Sequence, residues 1–368
     1  GGALAMNGSA NWVESDYNDL YTTGPILLNN LSSGQTFPNL LAWQNAGNIT
    51  EEHSLSENPL FVANNDYRIA QSALNGAGKP VSVTTDIEGQ PRDPLHPDIG
   101  ADEFTPPAVD AGVSALITPV KPFAIGNYAI RAVIRNYGSN NLTQTSIGWS
   151  INGDPMTPVM WVGNLAPGDT QSVIVGNVGF VVGQGINLKA WTFMPNGGSD
   201  IQPANDTSTV NNLHPGLAGV YTIGGAAPDF ATFGAANTAL NNGGVVGAVT
   251  FNVRNGTYAE QLALTSVVGA NAAQTITFQS ETNDSTAVTL QFNSTSSAQN
   301  YVVQLTGADW FLFRKMTLRS LNTTNARIVT FQGGADNNIF ENNRFVGVTT
   351  TSTSDVRTLL YSPSGTTD

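Results

Sequence analysis

One short phrase occurs twice in this sequence, and that internal repeat narrows the architectures open to the chain. Residues 307–316 read GADWFLFRKM, and residues 334–343, 27 positions later, read GADNNIFENN. A β-type run precedes each copy, at 301–305 and 328–331. Self-similarity at a period of 20–50 residues marks a repeat architecture. One repeat cannot bury its own apolar face, so stacked neighbours must complete each other's core.

Further runs recur at nearly the same spacing. The runs at 248–252, 275–279, 303–305 and 329–331 align with one another at offsets of 26–27 residues. A second run follows each of them, at 262–264, 288–290, 316–318 and 344–346. Coils of this length with two or three short strands are typical of a parallel β-helix, rising about 4.8 Å per coil. Asp309 and Asp336 then occupy the same turn of consecutive coils, and Arg314 aligns with Glu341 in an ion pair between coils.

A single helix is predicted just before these coils. Phe230, Phe233, Ala236 and Leu240 recur at helical spacing, Asp229 is placed to cap the first turn, and Gly243-Gly244 ends the pattern. The first coil of a repeat array has an open core and unpaired strand edges. An amphipathic helix at that end is therefore expected to act as a lid.

Composition excludes several classes of function. Only 11% of residues are charged while 40% are hydrophobic, which favours β-strands with polar turns over helices or disorder. The chain has no cysteine, so disulfides, thiolate metal sites and cysteine nucleophiles are excluded. A net charge of −13 argues against a nucleic-acid partner, and no apolar run reaches the 18 residues needed to span a membrane. No cofactor is predicted.

Residues 1–105 are acidic and rich in turns, with short strand-like runs at 26–28, 40–43, 60–62 and 67–69. His53-Ser54, the run NPLFV at 58–62 and DYRI at 66–69 occur in order, before DIEGQPRD at 86–93 and PDIGADEF at 97–104. This series resembles the C-terminal end of secreted right-handed parallel β-helix proteins of the pectin-lyase-like kind. The resemblance implies that 1–105 is the end piece of such a module.

The acidic residues of this end piece allow two interpretations. Clustered carboxylates beside Arg92 could form a paired-carboxylate site or bind Ca²⁺ or a glycan. They could equally be structural, with Arg92 pairing with Asp98 or Asp102 to pin the final turns. The structural interpretation is favoured, because lyases of the family that this segment resembles work in a lateral groove and not at the end. The cluster consists of Asp86, Glu88, Asp93, Asp98, Asp102 and Glu103.

Residues 106–214 follow the stiff boundary Pro106-Pro107 and show clear strand alternation. Tyr128, Ile130, Ala132 and Ile134 share one face, as do Ile147, Trp149 and Ile151, which lead into the hairpin dipeptide Asn152-Gly153. About seven strands in roughly 100 residues predict an immunoglobulin-like β-sandwich. The phrases at 110–113, 134–138, 165–169 and 205–207 resemble CARDB modules, which are adhesion-related bacterial Ig-like domains. Trp149, Trp161 and Trp191 could form a carbohydrate platform, but core packing is the favoured interpretation.

Residues 215–368 are predicted to be the N-terminal part of a second β-helix, whose phrase GTYAEQ at 256–261 resembles large Bacteroidota surface proteins. Four asparagines, Asn337, Asn338, Asn342 and Asn343, could be a polar binding site. Asparagine tolerates left-handed turns and stacks in ladders, so a structural role is favoured.

The order of the parts suggests a function. A β-helix end, a sandwich and a β-helix start form an all-β chain that resembles a piece of a giant surface adhesin of gliding Bacteroidota, exported by the type IX system. The expected function is structural and extracellular: a stalk at the cell surface. No catalytic or metal-binding residue is predicted, and the chain is expected not to be an enzyme. Expected partners are further copies of the repeat in a longer chain, the export machinery, and a surface polysaccharide or substratum. The alternative is a carbohydrate-active β-helix enzyme with an accessory domain, or a glycan- or calcium-binding module.

Overall fold

A computed structural model describes residues 4–6, 15–30, 33–46, 51–59, 61, 67–69, 71–351 and 353–363. The chain is mostly β and divides into two compact units. The first comprises 1–117, 130–176 and 188–210, and the second comprises 118–129, 177–187 and 211–368. The domain boundaries expected after residues 105 and 214 remain predictions. Among the described residues, no helix is long and apolar enough to cross a membrane.

A small sheet and a short helix open the first unit. Strands β1 (Leu4–Met6), β2 (Leu28–Asn30) and β3 (Gln35–Phe37) pair in that order, and helix α1 spans Leu40–Asn45. The prediction of a strand at 40–43 was therefore wrong. The Asn39 side chain accepts a hydrogen bond from the Ala42 backbone N–H and caps this helix. Four apolar residues are too few for periodicity to separate a helix from a strand.

The other strand-like runs of this segment have mixed outcomes. Of the strand predicted at 26–28, only Leu28 lies in the observed strand β2. Residues 67–69 are not in a strand. Residues 60 and 62, in the run predicted at 60–62, lie outside the described residues, as does residue 66 of the DYRI phrase.

Residues 111–213, here called the two-sheet region, form two β-sheets. One sheet has the order β11-β10-β6-β7 with β8 also paired to β6, and the other has the order β4-β5-β9. Its strands are β4 (Ala111–Ile117), β5 (Gly126–Asn136), β6 (Leu142–Ile151), β7 (Asp154–Pro155), β8 (Val159–Leu165), β9 (Thr170–Phe180), β10 (Ile186–Phe193) and β11 (Thr207–Leu213).

The strand alternation of the two-sheet region is as predicted. Ile130, Ala132 and Ile134 of β5 are fully buried, while the residues between them are partly exposed. Strands β6 and β7 pair antiparallel across Asn152-Gly153, and both turn residues have positive φ, of 51° and 93°. A turn with two left-handed residues matches the twist of the flanking strands, which explains the Asn-Gly dipeptide there.

The second unit contains three parallel sheets that the chain visits in turn. The first has the order β12-β13-β16-β19-β22, the second β14-β17-β20-β23 and the third β15-β18-β21-β24. The strands are β12 (Leu217–Ile223), β13 (Val245–Val253), β14 (Gly256–Ala259), β15 (Leu262–Thr265), β16 (Ile276–Ser280), β17 (Val288–Phe292), β18 (Val303–Thr306), β19 (Phe311–Arg314), β20 (Thr317–Ser320), β21 (Val329–Gln332), β22 (Ile339–Glu341), β23 (Arg344–Val346) and β24 (Leu360–Tyr361).

Part of the predicted strand alignment was wrong. Ile276 pairs with Phe311 and not with Val303, and Val303 pairs with Leu262 in the third sheet. Along the first sheet, Phe251, Phe278, Phe313 and Phe340 are register partners at spacings of 27, 35 and 27 residues. The coil that starts at β16 is longer because of the turns at 281–287 and 293–302. The sequence alignment assumed a fixed period, which fails where one coil is longer than the others. It therefore placed Val303, a third-sheet residue, beside Ile276 of the first sheet.

Those four phenylalanines form a continuous stack inside the second unit. Ring centroids of consecutive members lie 4.8, 5.4 and 4.8 Å apart, with interplanar angles of 20°, 16° and 5°. Phe251, Phe278 and Phe313 are fully buried. Parallel in-register pairing places equal positions of successive coils directly above one another, so equal side chains stack.

Helix α2 (Phe233–Gly243) lies where the sequence predicted it, but it begins later. Its N-cap is Thr232, whose hydroxyl accepts a hydrogen bond from the Ala235 backbone N–H. Asp229 was thus wrongly predicted as the cap, since its carboxylate accepts bonds from Thr222. Phe233, Ala236 and Leu240 are fully buried within the apolar core of the second unit, as expected of the inner face of a lid.

Replacing a phenylalanine of this stack should weaken the second unit. We expect Phe313→Ala to lower the free energy of unfolding by about 3–5 kcal/mol, because it leaves a cavity between two rings. Hydrogen-exchange mass spectrometry on the full chain measures this as faster exchange in residues 276–340. Leu321→Ala is the control, since Leu321 is 39% exposed. Equal effects of both changes would contradict a buried stack.

Candidate metal centre

The acidic cluster at 86–103 is built into the backbone of its own loop. Asp86 accepts hydrogen bonds from the N–H groups of Glu88, Gln90 and Glu103. Four more carboxylates of the cluster do likewise: Asp93 accepts from Leu95 and His96, Asp98 from Gly76 and Phe104, Asp102 from Ile69, and Glu103 from Asp93 and Asp98. Glu88 instead accepts from the Gln90 side-chain amide and pairs with Arg68. These carboxylates replace missing secondary structure as hydrogen-bond acceptors, which favours the structural interpretation.

Backbone hydrogen bonds and burial shift the pKa values of two carboxyl groups in this cluster in opposite directions. The N–H groups of His96 and Leu95 lower the pKa of Asp93. Burial acts in the opposite direction on Asp98 and raises the pKa of that carboxyl, although the N–H groups of Phe104 and Gly76 oppose it.

Arg92 pins the end of the loop, but with a different partner from the one predicted. Its guanidinium forms an ion pair with Glu103, with Nε and Oε2 3.3 Å apart. Asp98 and Asp102 do not supply the partner carboxylate. The Arg92 guanidinium instead donates to three backbone carbonyls, of Asp98, Gly100 and Asp102, of which Gly100 is nearest at 2.7 Å.

His53 and Ser54 are also structural contacts. His53 Nδ1 lies 2.6 Å from Asp16 Oδ2, and its ring stacks on Tyr17 with centroids 4.8 Å apart. The Ser54 hydroxyl donates to Glu51, a carboxylate that is 1% exposed. The hydrogen bond to Asp16 raises the pKa of His53, and it therefore favours the protonated ring.

The carboxylates of the parallel sheets also have structural partners. Glu260 accepts from the first N–H groups of helix α2, at Phe233 and Gly234. Glu341 pairs with Arg314 at 2.9 Å, as predicted. Three more are similarly engaged: Glu281 pairs with Arg254, Asp284 accepts from Thr286, and Asp309 accepts from the Asp336 N–H.

The four asparagines of the repeated phrase have the structural role that the sequence favoured. Asn337 and Asn342 adopt left-handed conformations with φ of 57° and 55°. Asn338 accepts from the Phe311 N–H and donates to the Ala308 carbonyl, and Asn343 does the same with Met316 and Phe313. Each of these two amides thus joins its coil to the preceding one.

The tryptophans of the two-sheet region do not form a surface platform. Trp149 and Trp161 are 5% and 6% exposed. The half-buried Trp191 lies over Gly148, where a Cβ would come within 2.4 Å of the indole. Close packing on glycine explains why these rings are accommodated in the sheets.

The strongest candidate site is a group of three aspartates that the sequence did not single out. Asp110 directly precedes β4, Asp206 directly precedes β11, and Asp200 lies in the loop between β10 and β11. One carboxylate oxygen of each lies within 4.8 Å of the others. Asp110 is fully buried, and the other two are half-buried. All three belong to the first unit.

Backbone contacts hold this centre in place. The Asp110 carbonyl accepts from the Tyr137 and Gly138 N–H groups, and the Asp206 carbonyl accepts from Val113 and Thr192. Asp200 Oδ2 accepts from the Ala111 N–H at 3.2 Å. Gly112 lets the loop that carries Asn205 approach, because a Cβ there would lie 2.3 Å from the Asn205 carbonyl oxygen.

Two side-chain oxygens in this centre have no hydrogen-bond partner. The Asn205 amide nitrogen donates to Asp110 Oδ2 at 3.0 Å, but Asn205 Oδ1 and Asp110 Oδ1 are both buried and unpartnered. Asn205 is 6% exposed. Burial raises the pKa of Asp110 to about 7, helped by the charges of Asp200 and Asp206 and opposed by the bond from Asn205. Burial and the charge of Asp200 raise the pKa of Asp206 to about 7 as well.

Sequence reasoning passed over these residues. Asp110 and Asn205-Asp206 stand in two of the phrases that resemble CARDB modules, yet they are 95 positions apart and carry no spacing motif. The available signal was acidic residues immediately before the first and last strands of one predicted sandwich. Only the pairing of strands brings those two ends together.

No protein-family profile and no curated protein matches this chain. Among solved structures, the chain is weakly similar to the CARDB domain of the PF1109 protein from Pyrococcus furiosus, in complex with di-metal ions. The identity is 16% and the TM-score 0.25, over 30% of this chain and 91% of that one. The di-metal ions are a feature of that protein.

The His53–Asp16 contact should make stability depend on pH. A raised folded-state pKa means that the contact stabilises fully below the unfolded value of 6.5, and this contribution is lost as pH rises through the folded value. We expect His53→Gln to lower the melting temperature below pH 6.5, because it removes this contact. The expected decrease is small, on the order of 2 °C, because the His53 side chain is 54% exposed and solvent screens the pair. The difference should shrink at alkaline pH. Thermal scans of both proteins across this range measure it, and a difference that grows with pH would contradict the assignment.

Proposed function

We propose that this chain is a structural segment of a long, secreted cell-surface adhesin or filament. In this proposal, residues 215–368 begin a right-handed parallel β-helix, residues 106–214 form an Ig-like spacer, and residues 1–105 close a preceding β-helix. The segment serves as a stiff stalk for adhesion or gliding motility. Its partners are further copies of its own repeat, the export machinery, and a surface polysaccharide or substratum.

The observation that carries the proposal is the series of contacts between successive coils. In-register parallel strands, the stacked phenylalanines and the bridging amides of Asn338 and Asn343 all repeat along one direction. Such an array can be extended by adding coils, because each coil contacts only its neighbours. Length and stiffness are the properties that a stalk requires.

The carboxylates support this interpretation over the enzymatic alternative. A glycan-cleaving β-helix needs acidic and basic side chains converging on one lateral face. Here Glu260 holds a helix end, Glu281 and Glu341 pair with arginines, and Asp284 and Asp309 bond backbone groups. Their oxygens satisfy local structure, so we propose that the chain is not an enzyme.

Assays against pectins, alginate and other acidic glycans distinguish the two functions. We expect turnover by the purified chain to be indistinguishable from that of a buffer control. A polysaccharide lyase of known activity is the positive control for each substrate. Clear turnover that disappears with Glu341→Gln or Asp284→Asn would overturn the structural proposal.

The coding sequence around this segment tests the repeat arrangement. If the proposal is correct, the sequence after residue 368 continues with further coils and then with a region that resembles residues 1–105. A stop codon soon after residue 368 would contradict the arrangement of alternating modules. This result is independent of whether the segment has a catalytic activity.

A further inference from the structure

We propose that Asp110, Asp200 and Asp206, together with the amide oxygen of Asn205, bind one Ca²⁺ ion. The site lies in the first unit, at the start of the first strand of the two-sheet region. It goes beyond the stalk proposal and stands on different residues. The centre is distinct from the acidic cluster at 86–103, where five of the six carboxylates accept backbone N–H groups.

The separation of the carboxylates fits a single cation. Ca²⁺ takes oxygen ligands at about 2.3–2.6 Å, so two ligands on opposite sides of the ion lie roughly 5 Å apart. The three aspartates each place one oxygen within 4.8 Å of the other two. One ion can therefore contact all three without any rearrangement of the strands that carry them.

The unpartnered oxygens point to a ligand beyond the protein's own hydrogen bonds. A buried polar group without a partner is costly, and a buried carboxylate oxygen more so. Asp110 Oδ1 lacks a partner although Asp110 is completely buried, and Asn205 Oδ1 lacks one although Asn205 is 94% buried. A cation between these groups gives Asp110 Oδ1 its missing partner and offsets the repulsion among three carboxylates.

The Asn205 amide is placed to become a fourth ligand. Its nitrogen now donates to Asp110 Oδ2 at 3.0 Å. The two ends of an amide have nearly the same shape, so a half-turn about the last side-chain bond exchanges nitrogen and oxygen. That turn brings Asn205 Oδ1 beside the Asp110 carboxylate, where both oxygens can face one ion.

The chemistry of the ligands selects Ca²⁺. Carboxylate and amide oxygens are the ligands of hard cations, whereas Zn²⁺ in proteins prefers sulfur and imidazole nitrogen. The chain has no cysteine, and none of its three histidines belongs to this centre. Mg²⁺ demands shorter bonds in a near-ideal octahedron. Half-buried Asp200 and Asp206 leave room for water to complete the looser shell of Ca²⁺.

Binding would tie together two distant parts of the chain. Asp110 directly precedes β4, and Asp200 and Asp206 lie in the loop that leads into β11. The hydrogen bond from Ala111 N–H to Asp200 and that from Val113 N–H to the Asp206 carbonyl already join them. The ion would add a clamp at the beginning and end of the two-sheet region, so that Ca²⁺ controls how firmly this region resists unfolding.

Calorimetry and thermal unfolding of the full chain test the site. After removal of ions with a chelator, titration with CaCl₂ near neutral pH should release or absorb heat with a stoichiometry of one. We expect a dissociation constant of roughly 10⁻⁴–10⁻³ M, the range of extracellular calcium-binding modules. At about 5 mM CaCl₂ the melting temperature of the two-sheet region should rise on the order of 5 °C. MgCl₂ at the same concentration should give a smaller rise.

Three variants locate the ion. Asp110→Asn should abolish both the heat and the rise in melting temperature, yet remain folded and no less stable than wild type in chelator, because it removes a buried charge. Asp154→Asn, in the exposed strand β7 of the same region, and Asp86→Asn, in the acidic end piece, should keep the full response. If Asp110→Asn fails to fold by circular dichroism, the half-buried Asp200→Asn replaces it.

Several outcomes would overturn the proposal. One is an absence of heat and of any thermal shift in wild type at millimolar CaCl₂. Another is a full Ca²⁺ response in both Asp110→Asn and Asp200→Asn. A response that is lost in Asp86→Asn and kept in Asp110→Asn would move the ion to the acidic end piece and refute the site described here.

Discussion

In-register parallel pairing between successive coils is the constraint on which the second unit depends. Each short strand satisfies its backbone groups only through the coils before and after it, so no coil is complete alone. The same pairing puts Phe251, Phe278, Phe313 and Phe340 in one stack and sets Arg314 against Glu341. Where the pairing ends, helix α2 buries Phe233, Ala236 and Leu240 in the apolar core.

In part of the first unit, side-chain carboxylates and not neighbouring strands accept the hydrogen bonds of backbone N–H groups. Its acidic end piece has little regular structure, and carboxylates such as Asp86 and Asp98 accept the N–H groups that strands would otherwise pair. This use of acids explains much of the local negative charge without requiring a ligand. The centre at Asp110 differs, because burial there leaves two side-chain oxygens without a partner. That difference between engaged and unengaged carboxylates separates a structural cluster from a candidate cation site.

In the second unit, a repeated polar phrase has a structural role, although its recurrence could suggest a binding motif. Gly-Ala-Asp and the paired asparagines recur with the regularity expected of a motif, and a binding role was a reasonable alternative. In the structure, Asn338 and Asn343 bond backbone groups of the preceding coil, and Asp309 accepts from Asp336. Recurrence here follows from geometry, since each coil must present the same group to its neighbour. In the proposed stalk, each added coil makes the same contacts with the coil before it, so the array can be lengthened.

The sequence by itself determined the β character, the strand faces of residues 128–134, the Asn-Gly hairpin and the 27-residue alignment of the repeated phrase. Those features depend on the alternation of apolar and polar residues and on turn-forming residues, and both are properties of residues close together in the sequence. The sequence placed Val303 in the wrong sheet, because a fixed period does not follow a coil of changed length. It also predicted a strand at residues 40–43, where the chain is helical, because four apolar residues show no period. The aspartate centre was decided by tertiary structure alone. Asp110 and Asp206 lie 96 positions apart, and only the pairing of strands from both ends of the two-sheet region brings their carboxylates together.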